Sequence, residues 1–175
     1  MRLHAVRSEA EKLARNHGVV SAPVDVKKIA RALKIKLVDE HLDPDVSGLL
    51  VTDTSGTRIC VNASHHSNRQ RFTIAHELGH FVLGHHFANR GRVHVDRRMF
   101  VSARSSRSSE GVDLNEIEAN QFASALLIPE WLLDKEFQTL NLQEPLADAD
   151  VELLASHFEV SEHAMSIRLS KLGYF

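Results

Sequence analysis

The chain has 175 residues, 43% hydrophobic and 25% charged, with 21 Lys and Arg against 23 Asp and Glu, so it can bury a core and disorder is excluded as its default state. No apolar run approaches the roughly 18 residues of a membrane helix, and residues 1–16 lack the apolar centre of a secretory signal, so the expected setting is cytoplasmic with no membrane partner. A single cysteine, Cys60, excludes an internal disulfide and a Cys-cluster zinc finger, and reads as a small buried side chain in a strand.

Residues 2–16 carry an amphipathic helical pattern stopped by Gly18, and Asp25 is placed to cap a short helix over 26–33. Three runs with strand character follow, 36–39, 48–52 and 58–61, the last two joined through Thr54-Ser55-Gly56 as a hairpin. Ser67-x-x-Gln70 reads as a capping box opening a helix to about Leu83, with Gly84 as its stop. A strand over 93–101 leads into the Arg- and Ser-rich stretch 103–109, which has no apolar pattern and reads as a loop. A second long helix starts near Asp113, with Val112 and Ile117 as a hydrophobic staple, and ends before Pro129. Helices over 131–137, 150–157 and 161–172 complete the chain. The sum is a small α+β fold with a short antiparallel sheet, one domain over residues 1–140 and a C-terminal helix pair over 141–175 packed on it.

Histidine and charge are unevenly spread. Of 12 histidines, six (His65, His66, His76, His80, His85 and His86) fall within 22 residues, the density of a metal site. Residues 1–109 carry 18 basic and 10 acidic side chains, whereas residues 110–175 carry 3 and 13. Such opposed halves imply an intramolecular match or a polar partner surface rather than general affinity for nucleic acid.

The sequence His76-Glu77-Leu78-Gly79-His80 is an H-E-x-x-H pattern. On a helix, residues four apart lie about 6 Å apart along the axis and about 40° apart around it, so two imidazoles reach one ion and the intervening carboxylate stands beside it, placed to take a proton from water. Composition alone gives about 0.06 chance occurrences, and the helical wheel lowers that further. Phe72, Ile74, Ala75, Leu78, Gly79, Phe81, Val82 and Leu83 fill an apolar arc of about 200°, with His76, Glu77 and His80 together on the rest.

A catalytic zinc needs three protein ligands and an open position. Glu116 and Asn120 lie together at one edge of the apolar arc of the later helix, so Glu116 is the candidate third ligand and Asn120 a residue that orients one; Glu118 points away and reads as a surface charge. His86 is the rival, ten residues after His76 as in H-E-x-x-H-x-x-G-x-x-H, but that pattern needs glycine where Leu83 stands. His85 and His86 then decorate the helix end, where imidazolium meets the negative end of the helix dipole.

Arg71-Phe72-Thr73-Ile74-Ala75-His76-Glu77-Leu78-Gly79-His80, followed by Glu116-x-x-Ala119-Asn120-x-Phe122-Ala123-x-x-Leu126-Leu127-x-Pro129, strongly resembles the ImmA/IrrE family of bacterial metallopeptidases, as do Pro23-Val24-Asp25-Val26, Ile29-Ala30 and Ile59-x-Val61-Asn62 upstream. The similarity spans roughly residues 20–130. It implies a zincin-like fold, one zinc held by His76, His80 and Glu116, and Glu77 as general base. It also implies a protein substrate, a helix-turn-helix repressor of the Xre type, whose cleavage relieves repression in mobile-element transfer or in a DNA-damage stress response. Other members resemble parts of toxin–antitoxin or phage-derived operons.

The donor that stabilises the oxyanion is open among Arg71, His94 and Tyr174. The six-arginine segment 90–109 reads as a solvated loop near the cleft. Residues 154–169 are similar to a helix-turn-helix with Ser161 as cap, yet residues 148–175 hold five acids against Arg168 and Lys171, which disfavours DNA. The alternative function is a non-proteolytic regulatory module that grips a repressor or antitoxin, with DNA contacts through the tail.

Overall fold

The computed structural model describes residues 2–85, 93–97, 109–143 and 145–174. The architecture is α+β, with seven helices and one four-stranded sheet among these residues. In α1 (Arg2–Asn16), Val6, Ala10 and Ala14 recur every fourth residue and are buried, a stripe of small side chains that lets the helix lie close on the core. Helix α2 (Val26–Ala32) starts where the Asp25 carboxylate accepts from the Lys28 amide at 2.9 Å.

Strands β1 (Lys36–Glu40), β2 (Val46–Asp53), β3 (Gly56–Asn62) and β4 (Val93–Arg97) pair in the order β1-β3-β2-β4. The expected β2–β3 hairpin is present, and β4 runs antiparallel to β2. The sheet is mixed, however, rather than purely antiparallel: β1 lies parallel to β3. The buried Asn62 explains this pairing. Its amide donates to the carbonyls of Leu42, Asp43 and Val46 at 3.3, 3.1 and 2.8 Å, which pins the connection from β1 to β2 across the end of β3. Buried Ile59, Cys60 and Val61 give β3 an interior place. The Cys60 thiol donates to Glu40 at 3.6 Å.

Helix α3 (Ser67–Val82) crosses the sheet, with the Gly48 backbone directly under the side chain of Thr73. Its start differs from the expected capping box. His66 is the N-cap, its ring accepting from the Asn68 amide at 3.2 Å, while Gln70 donates to the carbonyls of Asn62, Ala63 and His65. Gln70 thus fixes the strand-to-helix turn instead of closing on Ser67. At the far end Gly84 has φ +67, as a helix stop requires.

Helix α4 (Ser109–Leu127) begins four residues before the expected start, and Ile117 is 46% exposed, so it forms no buried staple. Helices α5 (Glu130–Leu140), α6 (Asp148–Phe158) and α7 (Glu162–Leu172) follow, with Ser161 capping α7 through the Ala164 amide at 3.2 Å. Phe122, Leu126, Leu132, Leu133, Leu154 and Phe158 join Ile59, Ile74 and Leu78 in one core. No described helix is long and apolar enough to cross a membrane.

The last two helices are tied down by polar contacts at both ends. Asn68 donates to the Val160 carbonyl at 3.0 Å, and Arg71 reaches the carbonyls of Val24, Phe158 and Glu159 and pairs with the Glu159 carboxylate at 3.3 Å. Arg168, 1% exposed, donates to the Ile128 carbonyl at 3.0 Å and pairs with Glu11 at 3.3 Å. A side chain that a DNA-binding tail would direct outward is here an internal strut.

Helices α3 and α4 approach closely at Gly79, where an added Cβ would meet Phe122 Cβ at 3.1 Å and Ala119 Cα at 3.2 Å. Gly79→Ala gains about 1 kcal/mol of helix propensity but overpacks a filled contact at a cost of about 1–3 kcal/mol. The expected result is a melting temperature lower by about 2–4 °C for each net kcal/mol lost. A raised value in thermal unfolding followed by circular dichroism would show that the contact accepts a Cβ without cost.

Candidate metal centre

The approach at Gly79 determines what faces what across α3 and α4. His76 and His80 flank Gly79 on one helix, Glu116 and Asn120 flank Ala119 on the other, and the contact of Gly79 with Ala119 brings the two sets together. His76, Glu77 and His80 are 3%, 0% and 1% exposed, so the polar arc of α3 is as buried as its apolar arc and faces α4.

Three donors converge there. His76 Nε2 lies 3.0 Å from His80 Nε2 and 3.2 Å from Glu116 Oε2, and His80 Nε2 lies 3.3 Å from Glu116 Oε1. A tetrahedral ion with bonds of about 2.0–2.1 Å has donor–donor edges of about 3.3 Å, so the spacing is that of a single coordination sphere. His76, His80 and Glu116 form a group able to hold a metal ion.

The outer hydrogen bonds fit one arrangement of the ring protons. His76 Nδ1 stands 3.1 Å from Asn120 Oδ1, an acceptor, so Nδ1 donates and Nε2 presents its lone pair. On the other side His85 Nε2 donates to the Glu118 carboxylate at 3.1 Å, which leaves His85 Nδ1 as acceptor for His80 Nδ1, 2.9 Å away. In that arrangement His80 Nε2 also turns its lone pair toward the cluster. Two imidazole nitrogens and a carboxylate within 3.0–3.3 Å of one another in a buried space are a donor set that fits a divalent ion.

A family model described as the IrrE N-terminal-like domain matches residues 30–170. The chain belongs to this family, a metallopeptidase family. The IrrE-like chain is 30% identical over 108 residues to uncharacterized immunity region protein 2 of Bacillus phage phi105, an alignment covering 62% of this chain and 61% of the phage protein. It is 24% identical over 170 residues to the metallopeptidase ImmA of Bacillus subtilis (strain 168), covering 97% of this chain and 87% of that one. Among solved structures it shares its fold with a Mycobacterium tuberculosis transcriptional regulator at a TM-score of 0.62 and 18% identity, covering 95% of this chain and 47% of the other.

Of the residues singled out from the sequence, the structure brings together His76, Glu77, His80, Glu116 and Asn120. It corrects the reading of Glu118 as a surface charge: Glu118 is 5% exposed and holds His85, which is no helix-end decoration but the partner of His80. Arg71 spends its donors on three carbonyls and Glu159, so it ties elements together instead of facing a reacting carbonyl. Tyr174 donates to Asp134 at 3.1 Å and stacks on Phe137, both on α5. His94 lies on β4 opposite Leu50, and its side chain is outside the described residues, as are His86 and most of the arginine-rich segment.

Sequence reasoning missed the Glu118–His85 pair because the link depends on where α4 lies against the end of α3. The one local signal was an acid directly before Ala119, the residue that meets Gly79. Removing the acceptor frees His85, and with it the tautomer of His80. Glu118→Ala is therefore expected to weaken zinc binding about 10- to 100-fold in competition with a chromogenic chelator, with Glu118→Gln, which retains an acceptor, affected less. Equal affinity in both variants and the parent would remove the outer pair from any part in holding the ion.

Proposed function

We propose that this chain is a zinc-dependent endopeptidase that hydrolyses a peptide bond in a protein partner, a helix-turn-helix repressor being the favoured class. The observation that carries the reading is the convergence of His76, His80 and Glu116, with Glu77 between the two histidines on the same buried helix face. The repressor substrate rests on the family resemblance, in keeping with relatives named for an immunity region and for ImmA. The setting is cytoplasmic, where such a repressor acts.

His76, His80 and Glu116 would hold the ion, and when bound a zinc would supply Lewis acidity, lowering the pKa of water and polarising the substrate carbonyl. The chain's own part is proton transfer and orientation. Glu77, fully buried beside both histidines, accepts a proton from the attacking water and returns it to the departing amide nitrogen. Burial withholds competing water from that carboxylate, and Asn120 and His85 keep the imidazoles turned with Nε2 inward. A tail gripping DNA finds less support, because Arg168 is buried against Ile128 and Glu11.

Glu77→Gln keeps the shape of the side chain and removes the base. The expected result is about one equivalent of zinc retained by elemental analysis, with cleavage of a co-expressed neighbouring repressor slowed by about 10²–10⁴-fold. A Glu77→Gln protein that still releases the same fragment at the parent rate would overturn the mechanism.

A further inference from the structure

The described glycines fall into two groups. Those with positive φ have nothing within 4 Å of where a Cβ would stand, so backbone conformation accounts for them. Gly48 and Gly79 are the reverse, since neither has positive φ and the space for a Cβ is already filled. Both abut α3. A Cβ at Gly48, on β2, would overlap the Thr73 Cγ2 methyl and stand 2.9 Å from the Cys60 carbonyl oxygen. Thr73 is 2% exposed and β-branched, so its methyl has little room to turn aside.

Thr73 and Gly79 are six residues apart on α3, hence about 120° apart around its axis, so the helix is gripped from two sides. His76 and Glu77 lie between the two contacts and His80 follows directly. Moving α3 off the sheet would carry it in part toward α4, where the filled contact at Gly79 leaves no slack to absorb the shift.

Strand β2 holds the helix at a second point. Consecutive residues of a regular strand face opposite sides, but Ser47 is an extra residue against β4: Val46 pairs with Arg97 and Gly48 with Asp96. With the alternation broken, Ser47 and Gly48 both meet α3. Ser47 Oγ is buried and accepts from Arg69 at 2.6 Å, one turn before Thr73. Arg69, Thr73 and Glu77 follow at steps of four, a stripe that leads from the bulge to the proposed base. Two of the three metal donors come from α3 and meet the third, from α4, at 3.2 and 3.3 Å. Such a site needs its groups within about 0.5 Å of their proper places, and relieving an overlap at position 48 takes a shift at least as large.

We propose that Ser47 and Gly48 are positioning residues of the metal centre. They act through α3 and not on the ion, by setting the depth on the sheet at which His76 and His80 meet Glu116. The inference rests on the metal-binding part of the peptidase reading and adds the bulged strand as the support of its geometry.

The test reads metal binding by the full chain, with Zn²⁺ titrated against a chromogenic chelator and Co²⁺ as a probe whose visible absorption reports coordination geometry. Gly48→Ala is expected to weaken Zn²⁺ binding about ten-fold or more and to alter the Co²⁺ spectrum. Adding Thr73→Ser, which removes the overlapped methyl, is expected to restore most of the affinity and the parent spectrum. Val151→Ala, a buried truncation on α6, lowers the melting temperature and leaves both readouts unchanged. Ser47→Ala removes the tie to Arg69 without adding an atom and is expected to weaken Zn²⁺ binding about three-fold or more. Parent-like affinity and spectrum in Gly48→Ala, or in Ser47→Ala where Gly48→Ala does not fold, would overturn the proposal. So would a Gly48→Ala defect that Thr73→Ser leaves untouched. A parent chain that binds neither ion would discard the metal centre itself, whereas variants that bind as proposed beside a parent that cleaves no partner would discard the peptidase reading alone.

Discussion

Everything in the centre hangs on the absence of one side chain. At Gly79 the backbone of α3 comes so close to Ala119 and Phe122 that a Cβ there would stand only 3.1–3.2 Å from them. His76 and His80 sit three residues before and one after this point, Glu116 and Asn120 three before and one after its counterpart. The close approach converts two independent helix faces into one cluster with donors 3.0–3.3 Å apart. The glycine in the middle of the motif therefore has a packing reason distinct from the chemistry of its neighbours.

Assembling three electron-rich groups in a buried space is costly unless their orientation is fixed beforehand, and the fold supplies that from two directions. His76 is held by a neutral amide, Asn120, and His80 by a histidine backed with a carboxylate, Glu118. The two imidazoles are thus unequal: the second has a negative charge at the end of its hydrogen-bond chain and is the more strongly polarised donor. Both arrangements point the same nitrogen inward. The centre is directional before any ion arrives.

Legibility in the sequence followed the range of each interaction. H-E-x-x-H was readable because its geometry is set by four residues of helix, and Glu116 and Asn120 because they share one edge of a single helix. Asp25, Gly84 and Ser161 marked helix ends through contacts within a few residues. Reading failed where a side chain answers to a distant element. Asn62 reaches back to residues 42–46 and turns an expected antiparallel arrangement into a mixed one; Gln70 serves the strand before it rather than its own helix; Glu118 looks solvated on its helical wheel but meets His85 across an interface. Periodicity describes a face, and what covers that face is decided by the fold.

The C-terminal pair shows how the same local pattern can serve a different end. Two short helices with a capped turn match a helix-turn-helix in outline, but such a unit binds DNA only if the second helix offers its cations to phosphates. Here Arg168 is drawn inward by the Ile128 carbonyl and Glu11, and the turn between the helices is held from below by Asn68 and Arg71. These contacts tie α6 and α7 to α1, α3 and α4, and among the described residues Ile167 on α7 stays 40% exposed. The contacts that disqualify the pair as a DNA reader are the ones that bind it to the rest of the fold.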